Sequence, residues 1–239
     1  MTMTSICGSH GSIPTFVSTP TGDGPWPSVV VVHDALGMTE DLRNQVWWLA
    51  KSGYMAAAPD LFHRGGRMRC LFKSMRDMAK GTQGPAFDDL STIRTWLAHH
   101  PQSTGAVGII GFCFGGGFAL MLAPGHGYSA SAVNYGAVSD VYWEKMAEAC
   151  PIIASYGADD PTLKGMAEKL ERVLSKHNIP HDVKEYQGVG HGFMNKHEPK
   201  DSNWIFSFLS RISNTHYDAI ATEDARKRII TFFDTYLKT

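Results

Sequence analysis

Val29, Val30, Val31 and Val32 stand in a row between Pro27 and Gly37. A β-branched run with no polar alternation fits a strand buried on both faces. Thr39 then has the character of an N-cap, with Glu40 and Asp41 in the first turn and Leu42, Val46, Leu49 and Ala50 at helical spacing until Gly53. The alternation of strand and helix recurs down the chain. Residues 54–58 read as a strand stopped by Pro59, and Asp88 and Asp89 open a helix carrying Leu90, Ile93 and Leu97 that ends before Pro101. Residues 107–110, 130–135 and 151–156 read as strands, 115–123 and 166–176 as helices, and 182–186 as an alternating strand. Ile229, Phe233, Tyr236 and Leu237 line one face of a closing helix. Such a chain predicts an α/β fold: a mainly parallel sheet with right-handed crossovers, helices on both faces, and ligands beyond the carboxyl ends of the strands.

At 239 residues, with no internal repeat and no dividing linker, one domain over 1–239 is expected. The irregular stretch is 61–86, LFHRGGRMRCLFKSMRDMAKGTQGPA, which leaves a strand's carboxyl end and mixes Arg and Lys with Met and Phe. It reads either as a cover over a site or as a peripheral helix with a solvated basic face. Lys and Arg total 22 against 23 Asp and Glu, with no long basic run, so neither nucleic acid nor an anionic membrane is expected as a partner. A small molecule is, with the chain itself a monomer or small homo-oligomer. No apolar run reaches the ~20 residues of a membrane span, and the opening MTMTSICGSH lacks a basic start and a signal-type apolar core, so a cytoplasmic protein is expected. Cys7, Cys70, Cys113 and Cys150 form no disulfide framework and no CxxC pair, and are read as reduced thiols.

One of these thiols has a distinctive setting. Gly111-Phe112-Cys113-Phe114-Gly115 falls between a strand and a helix, and a nucleophile on such a sharp turn needs small neighbours two residues away on each side. The turn also sets the sulfur at a helix N-terminus, where N–H groups and the dipole favour thiolate. A phosphate cradle fits less well: the spacing is not G-x-G-x-x-G, two phenylalanines stand where backbone would approach phosphate, and the Walker lysine is missing. No cofactor is expected. A cysteine nucleophile needs a base and a group that orients it. Asp159 and Asp160 lie in the turn after one strand, and His191 lies among glycines after the last; nucleophile, acid, histidine is the α/β-hydrolase order. His33, His63, His126 and His197 form neither HxH nor HExxH spacing, so no metal is assigned.

GFCFGG, YGADDP and GVGHGF, together with VVHDALG, PDLF and NYG, resemble the dienelactone hydrolase family of α/β hydrolases, from about Val29 to the closing helix. The resemblance implies an α/β-hydrolase fold, Cys113 as nucleophile and His191 as general base. The family pattern G-x-x-D selects Asp160 over Asp159 as the acid, although both sit in the turn. The oxyanion hole is implied to use the N–H of Phe114 and of Ala35.

Two positions depart from the family. Asp34 stands where the family has a glutamate that gates the thiol; it reads either as a shorter gate or as a loop carboxylate bonding nearby N–H groups. Asn195 stands where the family has an arginine for the substrate carboxylate, and offers hydrogen bonds without charge. A second family arginine falls within 61–86, with Arg64, Arg67, Arg69 and Arg76 as candidates. Phe112, Phe114, Phe118, Phe193 and Met194 would line an apolar pocket or belong to the core. A thiolate adduct expels an alkoxide, enolate or phenolate far more readily than an unprotonated amide nitrogen, so a small ester or lactone is the expected substrate. The competing reading, kept open by Asp34 and Asn195, is a catalytically weak hydrolase-like protein that binds or senses a small molecule.

Overall fold

The computed structural model describes residues 2–198 and 211–238. Eight strands form one sheet: β1 (Thr2–Gly8), β2 (Gly11–Ser18), β3 (Trp26–Val32), β4 (Met55–Pro59), β5 (Ser103–Phe112), β6 (Ala130–Asn134), β7 (Ile152–Gly157) and β8 (His181–Tyr186). Their order is β1-β2-β4-β3-β5-β6-β7-β8. β1 and β2 pair antiparallel, β2 pairs antiparallel with β4, and every pairing from β4 to β8 is parallel. The four valines of β3 are fully buried, as their unbroken apolar run demands.

The helices are α1 (Glu40–Lys51), α2 (Arg67–Lys80), α3 (Pro85–Ala98), α4 (Phe114–Leu122), α5 (Met166–Lys176) and α6 (Ala219–Leu237). Two glycines of β5 show how both faces are covered. A Cβ on Gly108 would meet Leu237 and Phe233 of α6, whereas one on Gly111 would meet the backbone of α4. Three residues apart on a strand, they face opposite ways, so α6 and α4 cover opposite sides.

The structure differs from the sequence reading in three places. The hairpin of β1 and β2 was not anticipated; its strands are rich in Ser and Thr, and β1 is exposed at most positions. α3 begins at Pro85, not at Asp88, with proline in its first turn, where its missing N–H costs nothing. Asp89 is consequently inside the helix and buried, paired with Arg64 and His63. Residues Asp140–Glu148 form a 3-10 segment. Residues 61–86, which the sequence allowed as a cover or a peripheral helix, are mainly helical: α2 buries only Leu71 and Ser74, and Ser139 Oγ holds it by donating to the Met78 carbonyl at 3.4 Å.

Candidate active site

The parallel strands end level with one another, since Val32 is opposite Gly111, Phe112 opposite Asn134, Asn134 opposite Ser155 and Gly157 opposite Tyr186. The residues just beyond those ends are therefore neighbours: Asp34 and Ala35 after β3, Cys113 after β5, Tyr135 after β6, Asp160 after β7 and His191 after β8.

Cys113 has φ 54° and ψ −113° and caps α4. A non-glycine residue in this region is strained and is kept there by its surroundings. Its N–H donates to the Asn134 carbonyl at 3.0 Å, and Asn134 Nδ2 donates to the Gly111 carbonyl at 3.1 Å. The flanking glycines are required by contact. A Cβ on Gly111 would lie 1.9 Å from the Gly115 oxygen, and one on Gly115 would lie 2.3 Å from the Val32 oxygen. Phe114 is the first residue of α4, so its N–H has no intrahelical acceptor.

Asp160 is 1% exposed, while Asp159 is exposed. Asp160 Oδ2 lies 2.5 Å from His191 Nδ1, and its Oδ1 accepts from the backbone N–H and hydroxyl of Thr162 at 2.8 and 2.6 Å. Burial alone would raise the Asp160 carboxyl, but the bonds from His191 and Thr162 outweigh it and hold it below the usual carboxylate range. Burial likewise pulls the His191 imidazole down. The negative charge and hydrogen bond of Cys113, with those of Asp160, overcome it and raise His191 to about 10. His191 thus interacts with both Cys113 and Asp160, and Asp160 is the acidic residue brought to it.

The Ala35 loop is shaped by its neighbours. Asp34 Oδ1 accepts from Leu36 N–H at 2.8 Å, and its Oδ2 pairs with His197 Nε2 at 2.7 Å. His33, fully buried, connects this loop to the end of β4: Leu61 N–H donates to its Nε2 at 3.1 Å, and its Nδ1 lies 2.7 Å from the Asp34 carbonyl. Among the described residues, no protein acceptor is paired with the Ala35 N–H.

Asn195 is engaged on both sides by protein groups. It is 7% exposed, accepts from the Tyr135 hydroxyl and donates to Asp41 Oδ2 at 2.6 Å. Phe112, Phe118, Phe193 and Met194 are fully or almost fully buried and belong to the core, with Phe114 at 8%. Of the four arginines in 61–86, Arg64 is anchored to Asp89, and Arg69 and Arg76 are exposed on α2. A groove of about 660 Å³ lined by Trp48, Tyr217 and Arg226 lies between α1 and α6 and includes none of Cys113, Asp160 or His191. Among the described residues, no helix is long and apolar enough to cross a membrane.

Three residues here had no place at the site in the sequence reading: Tyr135, Asp41 and His33. Asp41 and Gln45 carried a usable signal, since they extend the buried stripe of Leu42, Val46 and Leu49 with polar side chains.

The family model for the dienelactone hydrolase family matches residues 13–237. The chain belongs to the dienelactone hydrolase family. It is 28% identical over 233 residues to a carboxymethylenebutenolidase of Rhodococcus opacus, covering 92% of this chain and 84% of that one. With the carboxymethylenebutenolidase of Pseudomonas putida it shares 27% identity over 214 residues, 85% of this chain and 89% of the other. The crystal structure of a dienelactone hydrolase from Anabaena variabilis superposes with a TM-score of 0.68 at 17% identity, covering 99% and 97% of the two chains. As a member of the dienelactone hydrolase family the chain is a hydrolase with the α/β-hydrolase fold.

Proposed function

We propose that this hydrolase cleaves small esters or lactones through a Cys113 thioester. The observation that carries the reading is the His191 imidazole, held by Asp160 on one side and under the influence of the Cys113 sulfur on the other, at the carboxyl ends of the parallel strands. With its proton on His191, the Cys113 sulfur attacks the carbonyl carbon, and the N–H groups of Ala35 and Phe114 receive the developing oxyanion. As the adduct collapses, His191 gives its proton to the departing oxygen, so the alcohol or enol leaves neutral and the acyl group remains on sulfur. A water molecule then loses a proton to His191 and attacks the thioester. The acid leaves, and the sulfur and imidazolium return to their starting state. Asp160 keeps Nδ1–H pointed at itself throughout, which presents Nε2 to the chemistry.

The substrate we assign carries no carboxylate that needs a clamp. Asn195, at the family's arginine position, is bonded on both sides within the protein, and Arg64 is committed to Asp89. Cys113→Ala is expected to abolish turnover of nitrophenyl acetate. Unchanged turnover would overturn the reading.

A further inference from the structure

The loop that carries His191 is fastened from two helices. Phe193 O accepts from Thr222 Oγ1 at 2.9 Å and from Asp218 N–H at 3.0 Å, and Met194 O accepts from Gln45 Nε2 at 2.9 Å. These bonds fix the backbone. A separate chain of side chains ends on the imidazole itself. Asp41, 5% exposed, receives Lys196 N–H on Oδ1 at 2.8 Å and Asn195 Nδ2 on Oδ2 at 2.6 Å. Asn195 Oδ1 receives the Tyr135 hydroxyl, and the Tyr135 ring lies across His191, centroids 5.2 Å apart at 61°. Tyr135 is 1% exposed and has φ 41°, a left-handed conformation that a bulky residue holds only when its surroundings impose it.

The direction of each bond is determined. Lys196 N–H can only donate and Asp41 can only accept when ionised, so the Asn195 amide nitrogen faces Asp41 and its oxygen faces the Tyr135 hydroxyl, which donates. The carboxylate has local support from the first turn of α1, where the helix dipole favours negative charge. Burial, reinforced by the charges of Asp41, Asp34 and Cys113, pushes the Tyr135 phenol well above its usual value, which keeps it a neutral donor.

We infer that Asp41, Asn195 and Tyr135 are positioning residues for the reaction: they fix the Tyr135 ring against His191 and so hold the imidazole on the line between Asp160 and Cys113. Asn195 acts within the protein and not on the substrate. This inference rests on the Cys113 reading above. If that reading fails, wild-type turnover will be insensitive to Cys113→Ala; failure of the positioning role leaves that sensitivity intact.

The test uses nitrophenyl acetate turnover by the full chain, well below the thermal midpoint, with thermal midpoints measured alongside. Tyr135→Phe retains the ring and removes only the tether, so kcat is expected to fall roughly 10-fold, with KM within about two-fold, since small misplacements of a reacting group cost rate more than binding. Asp41→Asn sets two amide nitrogens, or an amide nitrogen and Lys196 N–H, against each other, and is expected to impair kcat further. Combining it with Asn195→Asp restores every bond: the amide introduced at 41 accepts from Lys196 and donates to position 195, where the new carboxylate accepts from Tyr135. That double variant should recover most of the kcat lost by Asp41→Asn. The inference is overturned if Tyr135→Phe keeps kcat within two-fold of wild type, or if the double variant regains its thermal midpoint but not its kcat. Should Asp41→Asn fail to fold, Tyr135→Phe alone decides.

Discussion

The His33 ring donates from Nδ1 to the carbonyl oxygen of Asp34 at 2.7 Å. That direction follows from its other nitrogen, because Leu61 N–H donates to Nε2 and a backbone N–H cannot accept. A protonated ring would turn Nε2 into a donor facing a donor. Burial pulls His33 below its ordinary 6.5, against the raising effect of Asp34 and Asp60. The unfolded chain takes up this proton near pH 6.5, and the folded chain only at lower pH. Stability is therefore complete above 6.5 and falls as pH drops through the depressed value. His33→Asn should cost about 1–3 kcal/mol at pH 7.5 through unmade buried bonds, and should flatten the loss of stability as pH falls below 6.5. Urea titrations of both proteins across that range provide the check; parallel slopes would contradict it.

His191 has the opposite sign. It is raised to about 10 and Asp160 is lowered. The His191 contribution to stability is complete below the unfolded value of 6.5 and is lost as pH rises through about 10. The Asp160 contribution is present above the ordinary carboxylate value and is lost as pH falls through the depressed one. The stability gap between wild type and Asp160→Asn should consequently be widest near neutrality and close toward both extremes. Asp160→Asn should also lower kcat by roughly 10³–10⁴, since an amide at that position can hold the wrong imidazole tautomer. Cys113→Ala removes the leading influence that raises His191, so the imidazole resonances should titrate at lower pH than in wild type. An unmoved titration would show that the thiol and the ring are not coupled.

The parts of this fold legible in the sequence are those set by local pattern. The valines of β3, the Thr39 cap and stripe of α1, and the glycine-spaced elbow each follow from backbone geometry or one-sided burial. What escaped depends on partners and not on a segment's own pattern. β1 exposes most of its residues and owes its place to register with β2, whose own Pro14 argues against a strand. α2 buries two residues out of a basic, mixed segment, too few to leave a stripe. At the site, the order of Cys113, Asp160 and His191 could be read, but the Asp41–Asn195 bond joins residues 154 positions apart. That the Asn195 amide bonds Tyr135 and Asp41 could not be read, because position alone says nothing of which way an amide faces.

Asp34 separates two roles that one carboxylate can play. Its Oδ1 shapes the Ala35 loop by accepting Leu36 N–H, and its Oδ2 pairs with His197. Asp34→Asn keeps an oxygen for Leu36 and removes the charge, whereas Asp34→Ala removes both. If loop shape is what the site needs, Asp34→Asn should stay within about three-fold of wild-type kcat and Asp34→Ala should lose roughly ten-fold, the scale of one hydrogen bond of about 1.4 kcal/mol. Equal losses in both would instead assign the function to the charge.

The elbow glycines allow a sharper comparison, because two physical reasons for glycine occur in one chain. Gly188 has φ 74° with nothing within 4 Å of an added Cβ, so alanine there pays only the left-handed backbone cost of about 1–2 kcal/mol. At Gly111 the added carbon would lie 1.9 Å from the Gly115 oxygen, and at Gly115 2.3 Å from the Val32 oxygen and 2.6 Å from the His33 oxygen. All of these neighbours are backbone, held by β3 and α4, so no side chain can swing away. Relief requires α4 to move off the sheet, which carries the Phe114 N–H away from Ala35 and the Cys113 sulfur away from His191. Gly111→Ala and Gly115→Ala should each cost more than about 4 kcal/mol, the range reserved for severe core disruption, and lose turnover even in whatever fraction stays folded. Gly188→Ala should remain active with a slightly lower thermal midpoint. Measured side by side, an active and stable Gly115→Ala would mean that the elbow is not packed as tightly against β3 as its backbone distances require.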